Sequence, residues 1–175
     1  MAEDRDRAWD LMESIGFCML SSLDGQDIRS RPMMAYADRR EHAIYFLTDV
    51  HSHKDDEIGR NPHVNLAFAD TGGQKYLSVT GRAVVSDDRE KIRELWATPA
   101  KAWWDNPDDP SIRVLKVVPQ DAQYWEGAGS LASYIKLIAA AVSDSRPDMG
   151  KNVKVELYQS FMRSFTFSTT ACASD

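Results

Sequence analysis

Short β-prone runs separated by tight-turn signals constrain this 175-residue chain more than any other feature. Apolar side chains alternate or cluster over strand-like lengths at 17–23, 28–37, 44–47, 64–69, 76–85, 112–118, 122–126 and 153–157. Asp24-Gly25, residues 38–41 and Thr71-Gly72-Gly73 separate neighbouring runs, and none is long enough to hold a crossover helix. Such short links join antiparallel neighbours. Seven or eight strands with few helices therefore predict a mainly β protein, a largely antiparallel sheet closed into a barrel. Gly81 interrupts one long run. Pro32 gives no ladder hydrogen bond, which marks an edge, a bulge, or a place where something other than a strand lies alongside.

Four helices are expected, one of them opening at Ser52. Residues 4–15 place Ala8, Leu11, Met12 and Ile15 on one face, with Gly16 as the stop. Asp87 or Asp88 caps another helix running to about Trp96. Residues 130–142 carry an apolar stripe at helical spacing. Residues 97–111, with Pro99, Pro107, Pro110 and the pair Trp103-Trp104, read as a loop containing a short helical turn. With no repeat and no linker, residues 1–160 form one domain. Residues 161–175 lack a period and read as a frayed or partner-docked tail.

Composition narrows the function. The formal net charge is −6, from 21 basic and 27 acidic side chains, so a polyphosphate backbone would be repelled and nucleic acid is not an expected partner. Cys18 and Cys172 have neither metal-ligand spacing nor the look of a disulfide framework, and Cys18 reads as a buried, inert thiol. No secretory signal is visible, and the longest apolar stretch, 135–142, is too short to span a bilayer. The reading is a cytoplasmic protein with no membrane association. No Ser/His/Asp or Cys/His nucleophile set emerges.

One stretch points to chemistry. Residues 44–47 are apolar, Thr48 and Asp49 supply turn residues, and Ser52-x-x-Asp55 fits a capping box that puts the helix N-cap at Ser52. A helix start offers unpaired amides and partial positive charge, and Lys54 adds a full charge in the first turn; together they make a phosphate seat. The plainer alternative is an ordinary helix start with Lys54 facing water. His51-x-His53 lies among carboxylates but lacks a third or fourth convergent ligand, so no metal is expected. Upstream, strand alternation places Arg29, Arg31 and Met33 on one face and Ser30, Pro32 and Met34 on the other.

Taken together, Ile28-Arg29-Ser30-Arg31-Pro32-Met33 and Phe46-Leu47-Thr48-Asp49-x-x-Ser52-His53-Lys54 resemble the flavin-binding split barrels. That superfamily includes pyridoxamine 5′-phosphate oxidase and, closer to this pattern, the general stress protein 26 group. The likeness continues through Asn61-Pro62-x-Val64, Tyr76 to Gly81, Trp96, Trp103-Trp104, Asp109-Pro110 and Tyr124-Trp125. It implies a six-stranded antiparallel split barrel with flanking helices, a homodimer, and FMN, ahead of FAD or a deazaflavin, in a groove between subunits. Lys54, Ser52 and either Arg29 or Arg31 would meet the phosphate, and His53 stands where the oxidase often has a second basic residue. The backbone of residues 30–33 would follow the ring edge, with Thr48 and Asp49 near the ribityl chain or ring. Trp125 is a candidate cover for a flavin face. The oxidase's C-terminal Arg-x-His element has no counterpart, which argues against vitamin B6 oxidation. The implied function is a flavin-dependent oxidoreductase acting with an unidentified small-molecule redox partner; the alternative is a flavin-binding stress or sensing module without turnover.

Overall fold

The computed structural model describes residues 2–52, 54–96, 100–127 and 150–157, with the backbone alone at 54–56. The helix expected over 130–142, the tail 161–175, His53 and the Lys54 side chain lie outside the described residues.

Helix α1 (Ala2–Ile15) forms where expected, burying Ala8, Trp9, Leu11 and Met12. Gly16 ends it at φ +70, a conformation that costs glycine little, and its amide donates to the Met12 carbonyl at 3.0 Å. Among the described residues eight strands follow: β1 (Phe17–Asp24), β2 (Asp27–Met34), β3 (Tyr36–Asp38), β4 (Ala43–Asp49), β5 (His63–Asp70), β6 (Lys75–Ser86), β7 (Ile112–Glu126) and β8 (Lys151–Glu156). Helices α2 (Lys54–Arg60) and α3 (Arg89–Leu95), with 3-10 turns at Val50–Ser52 and Ala100–Ala102, fill the longer connections. Asp88 caps α3, its carboxylate accepting from the Lys91 amide.

Every strand pair is antiparallel, in the order β2-β1-β5-β6-β7-β4-β3, with β8 added to β7. The mainly β, antiparallel class stands. The strand count differs from six because β3 separates from β2 at Ala35, whose amide turns to the Gly16 carbonyl at 2.7 Å, and because β8 joins off the main path. The sheet curls until β2 approaches β4, yet no ladder joins them among the described residues. Pro32 thus stands on an edge strand, where its missing donor costs least.

Residues 112–126, expected as two strands divided near Pro119, form one strand of 15 residues. A bulge absorbs the irregularity: Gly81 faces Pro119 while Thr80 faces Asp121, which leaves Gln120 as the extra residue. The freed Gln120 carbonyl accepts from the Leu157 amide at 2.9 Å, just past the end of β8. Close approach explains the glycine, since a Cβ at Gly81 would sit 2.7 Å from the Val118 carbonyl oxygen and 2.8 Å from Val117 Cγ1. Gly81→Ala is expected to lower the unfolding free energy by about 1–3 kcal/mol, read from a denaturant titration. An unchanged midpoint would mean that β6 and β7 do not meet this closely.

The described residues form two apolar clusters. The larger fills the barrel beneath α1 with Leu20, Phe46, Leu66, Phe68, Leu77 and Tyr124. The smaller, around Tyr45, Ile92 and Ile112, seats α3 against the outside of β4 and β7. Since β4 is covered on both faces, residues 43–46 read as a continuous apolar run instead of alternating. Cys18 is buried, and burial pushes its thiol up to about 12, which keeps it protonated and unreactive near neutral pH. No helix among the described residues is long and apolar enough to cross a membrane.

Candidate functional site

Where β2 and β4 fail to pair, a groove of about 350 Å³ opens. Phe17, Pro32, Met33, Met34 and Tyr36 line one side, and Leu47, Thr48, Asp49 and Ser52 the other. Ala100, Trp103 and Trp104, from the loop after α3, close one end. Alternation predicted that Pro32 and Met33 would face opposite ways. Both line the groove because it runs along the free edge of β2, which no described strand covers. A free edge also offers backbone donors and acceptors to a ligand.

The polar end is organised by short-range bonds. Asp49 closes β4 and accepts the His51 amide at 2.8 Å on Oδ1 and the Trp104 indole N–H at 3.4 Å on Oδ2. The Ser52 hydroxyl donates to the Asp49 carbonyl at 2.6 Å and lies 3.1 Å from the Thr48 hydroxyl. Ser52 therefore belongs to a 3-10 turn and does not provide the expected side-chain cap; α2 begins at Lys54. The Val50 amide donates to the Ser111 carbonyl at 2.9 Å and fixes the turn to the start of β7.

The His51 amide is the main reason that the Asp49 carboxyl is held below its usual range; burial opposes it, and Ser111 and Trp104 assist. A lowered carboxyl pKa stabilises the fold above the unfolded pKa, and that contribution is lost as pH falls through the folded value. Near-UV circular dichroism from the tryptophan loop is expected to stay constant from neutrality down to about pH 4 and to change below it. A change centred near pH 6 would contradict this arrangement.

The strand arginines diverge. Arg29 points to the hairpin and pairs with Asp24 at 3.4 Å, largely exposed. Arg31 reaches α2, where Nη2 donates to Glu57 at 2.7 Å, and the Ser22 hydroxyl donates to the same Glu57 oxygen at 2.7 Å. Its other terminal nitrogen, Nη1, is buried with no hydrogen-bond partner among the described residues. A buried guanidinium N–H without an acceptor is costly, and a ligand oxygen is the natural remedy. Ser30 bonds to Ser21 across the hairpin at 2.7 Å.

Trp125 lies elsewhere. It faces Tyr76, and β7 is three strands from β1, so at about 4.8 Å per step it sits roughly 14 Å from Phe17. Pro32, Met33, Thr48, Asp49 and Ser52 thus meet in one groove with Arg31 reaching the adjoining helix, whereas Arg29, Ser30 and Trp125 are not part of it. Trp103 and Trp104 are groove residues that the site expectations missed, since periodicity says nothing about where a loop folds back.

An acidic trio, Asp38, Glu41 and Glu94, stands on the outer surface, where Lys91 pairs with Glu41 and Glu94 at 2.7 Å each. Lys91 offsets one of the three charges.

The site is thus an apolar slot at the open seam of a small antiparallel sheet, with hydroxyls at one end and the half-buried Arg31 on the adjoining strand. The chain belongs to the pyridoxamine 5'-phosphate oxidase like family, whose model matches residues 3–148. General stress protein 26 of Bacillus subtilis is 33% identical over 81 residues, a match spanning 45% of this chain and 58% of that protein. The crystal structure of a general stress protein 26 from Jannaschia sp. CCS1 superposes with a TM-score of 0.70 at 28% identity, covering 89% of this chain and 99% of the other. The general stress FMN/FAD binding protein of Xanthomonas citri gives 0.65 at 26% identity, over 74% and 93% of the two chains.

Proposed function

We propose that this chain binds FMN in the β2–β4 groove and serves as a flavin-dependent oxidoreductase of the general stress protein 26 type. One observation carries the reading: an apolar slot with a free strand edge leads to hydroxyls at Thr48 and Ser52, while the buried Nη1 of Arg31, without a partner among the described residues, stands at the neighbouring helix. Pro32, Met33, Leu47 and the tryptophans would shelter a planar ring. The free edge of β2 would meet its polar rim, and Thr48 and Ser52 the polyhydroxyl chain. Arg31 would take the phosphate, together with Lys54 and His53 at the start of α2. Arginine suits that role, since its planar fork matches phosphate oxygens. When bound, FMN supplies one- and two-electron redox chemistry; the protein holds and orients it. The FMN/FAD binding relative in Xanthomonas citri supports the same reading.

The assembly that fits is a homodimer through the outer face of β1 and β2. Phe17 is 58% exposed there and pairs with Met34, while Met19, also exposed, pairs with Pro32. Tyr76 and Trp125 lie on the same face further along the sheet. A second copy would cover these side chains and could bring its own Trp125 over the slot.

Asp49 is the only carboxylate lining the groove among the described residues, and it is committed to the His51 amide and Trp104. This observation favours the second reading, a flavin-binding module without turnover. Purified protein should show flavin absorbance or gain melting temperature on adding FMN, and should sediment as a dimer. If the protein shows no flavin absorbance and gains no melting temperature with FMN, the assignment is refuted. Reduction of the bound flavin by NADH or NADPH supports the enzyme; bound flavin that neither reduces supports the module.

A further inference from the structure

We propose that Asp49 acts on the groove through Trp104, as a positioning residue tying the turn at residues 49–52 to the tryptophan wall, and does not itself contact the ligand. The proposal deepens the flavin assignment and rests on it for the identity of the ligand.

The first ground is charge. A carboxylate facing an anionic ester would repel it, so an aspartate in this groove needs another purpose. Its bonds supply one: Oδ1 holds the His51 amide at 2.8 Å and Oδ2 takes the Trp104 indole N–H at 3.4 Å. The second ground is how the wall is attached. The Trp103 and Trp104 amides both donate to the Ala100 carbonyl, at 3.0 and 3.1 Å, bonds that shape the turn but do not anchor it to the sheet. Trp104 packs against the outer cluster around Tyr45 and Ile112, and its indole bond to Asp49 at the end of β4 fixes how the ring is turned. The third ground is Trp103, 81% exposed at the groove's rim. A large aromatic left in water is costly, and one standing beside a tethered neighbour is held ready to cover a planar ring. The 3.4 Å separation is long for a hydrogen bond, so the tether sets a position more than it adds stability.

A double-mutant cycle tests this with Asp49→Asn, Trp104→Phe and the pair, each retaining the bulk of the original side chain. In ligand-free protein, near-UV circular dichroism of Asp49→Asn should differ from that of the wild type, whereas adding Asp49→Asn to Trp104→Phe should change the remaining tryptophan signal no further. In FMN titrations followed by flavin fluorescence, each single variant should weaken binding about fivefold, the factor that one hydrogen bond of modest strength provides. The double variant should be no weaker than either. Effects that multiply would show Asp49 touching the ligand directly and overturn the proposal. So would an Asp49→Asn variant whose near-UV spectrum matches the wild type. If the wild type binds no FMN, the flavin assignment falls, and the near-UV arm alone upholds or overturns the tether.

Discussion

Replacing Phe46 with alanine is expected to lower the unfolding free energy by about 3–5 kcal/mol, the usual cost of emptying a large aromatic site in a core. Phe46 is fully buried at the centre of β4 and belongs to the main cluster with Leu66, Phe68 and Leu77. Its strand is covered on both faces, so little nearby can collapse into the vacated volume. Chemical denaturation with an unchanged m-value is the appropriate readout, since a changed m-value would signal a different unfolded state or a loss of two-state behaviour. Phe46 lies two residues before Thr48 and three before Asp49, so flavin affinity should fall in the same variant. A loss under about 1 kcal/mol would mean that this core is far less tightly packed than described.

The second large effect belongs to Arg31. Arg31→Ala is expected to raise the FMN dissociation constant about 30- to 100-fold, the worth of a charge-assisted hydrogen-bond pair. Riboflavin, which lacks the phosphate, should bind wild type and variant within about threefold of each other, because the missing interaction is with the phosphate. Arg31→Lys keeps the charge without the fork and should fall between. The substitution also frees the Glu57 carboxylate from its partner at 2.7 Å, so melting temperatures must be compared alongside. Equal losses for FMN and riboflavin would assign Arg31 to the scaffold of α2.

Much of the fold was readable because strand alternation and turn chemistry are local signals. The Asp24-Gly25 hairpin appears with Gly25 at φ +65, and the first strand begins at Phe17 where Gly16 ends α1. What was misread depended on partners distant in sequence. Pro119 looks like a break, yet Gly81 on the facing strand makes room for it and β7 runs on. Ser52 carries a capping pattern, but its hydroxyl found the nearer Asp49 carbonyl. For the site, Pro32, Met33, Thr48, Asp49 and Ser52 were marked by motif order, and the structure brings them together in one groove. The choice between Arg29 and Arg31 could not be made from spacing, because both alternate to one face; Asp24 on the hairpin and Glu57 on α2 draw them apart. Nor does sequence place Trp103 and Trp104, since Trp104 packs against the cluster around Tyr45 and Ile112 and bonds to Asp49, 55 residues away.

Hydrogen exchange with and without FMN tests the location of the flavin most directly. Protection should rise at residues 31–36, 47–52 and 100–104, which line the groove, while residues 83–87, which line a second hollow with Arg113, stay unchanged. Protection at 83–87, with the β2 edge and the tryptophan loop exchanging as before, would place the ligand elsewhere and contradict the assignment.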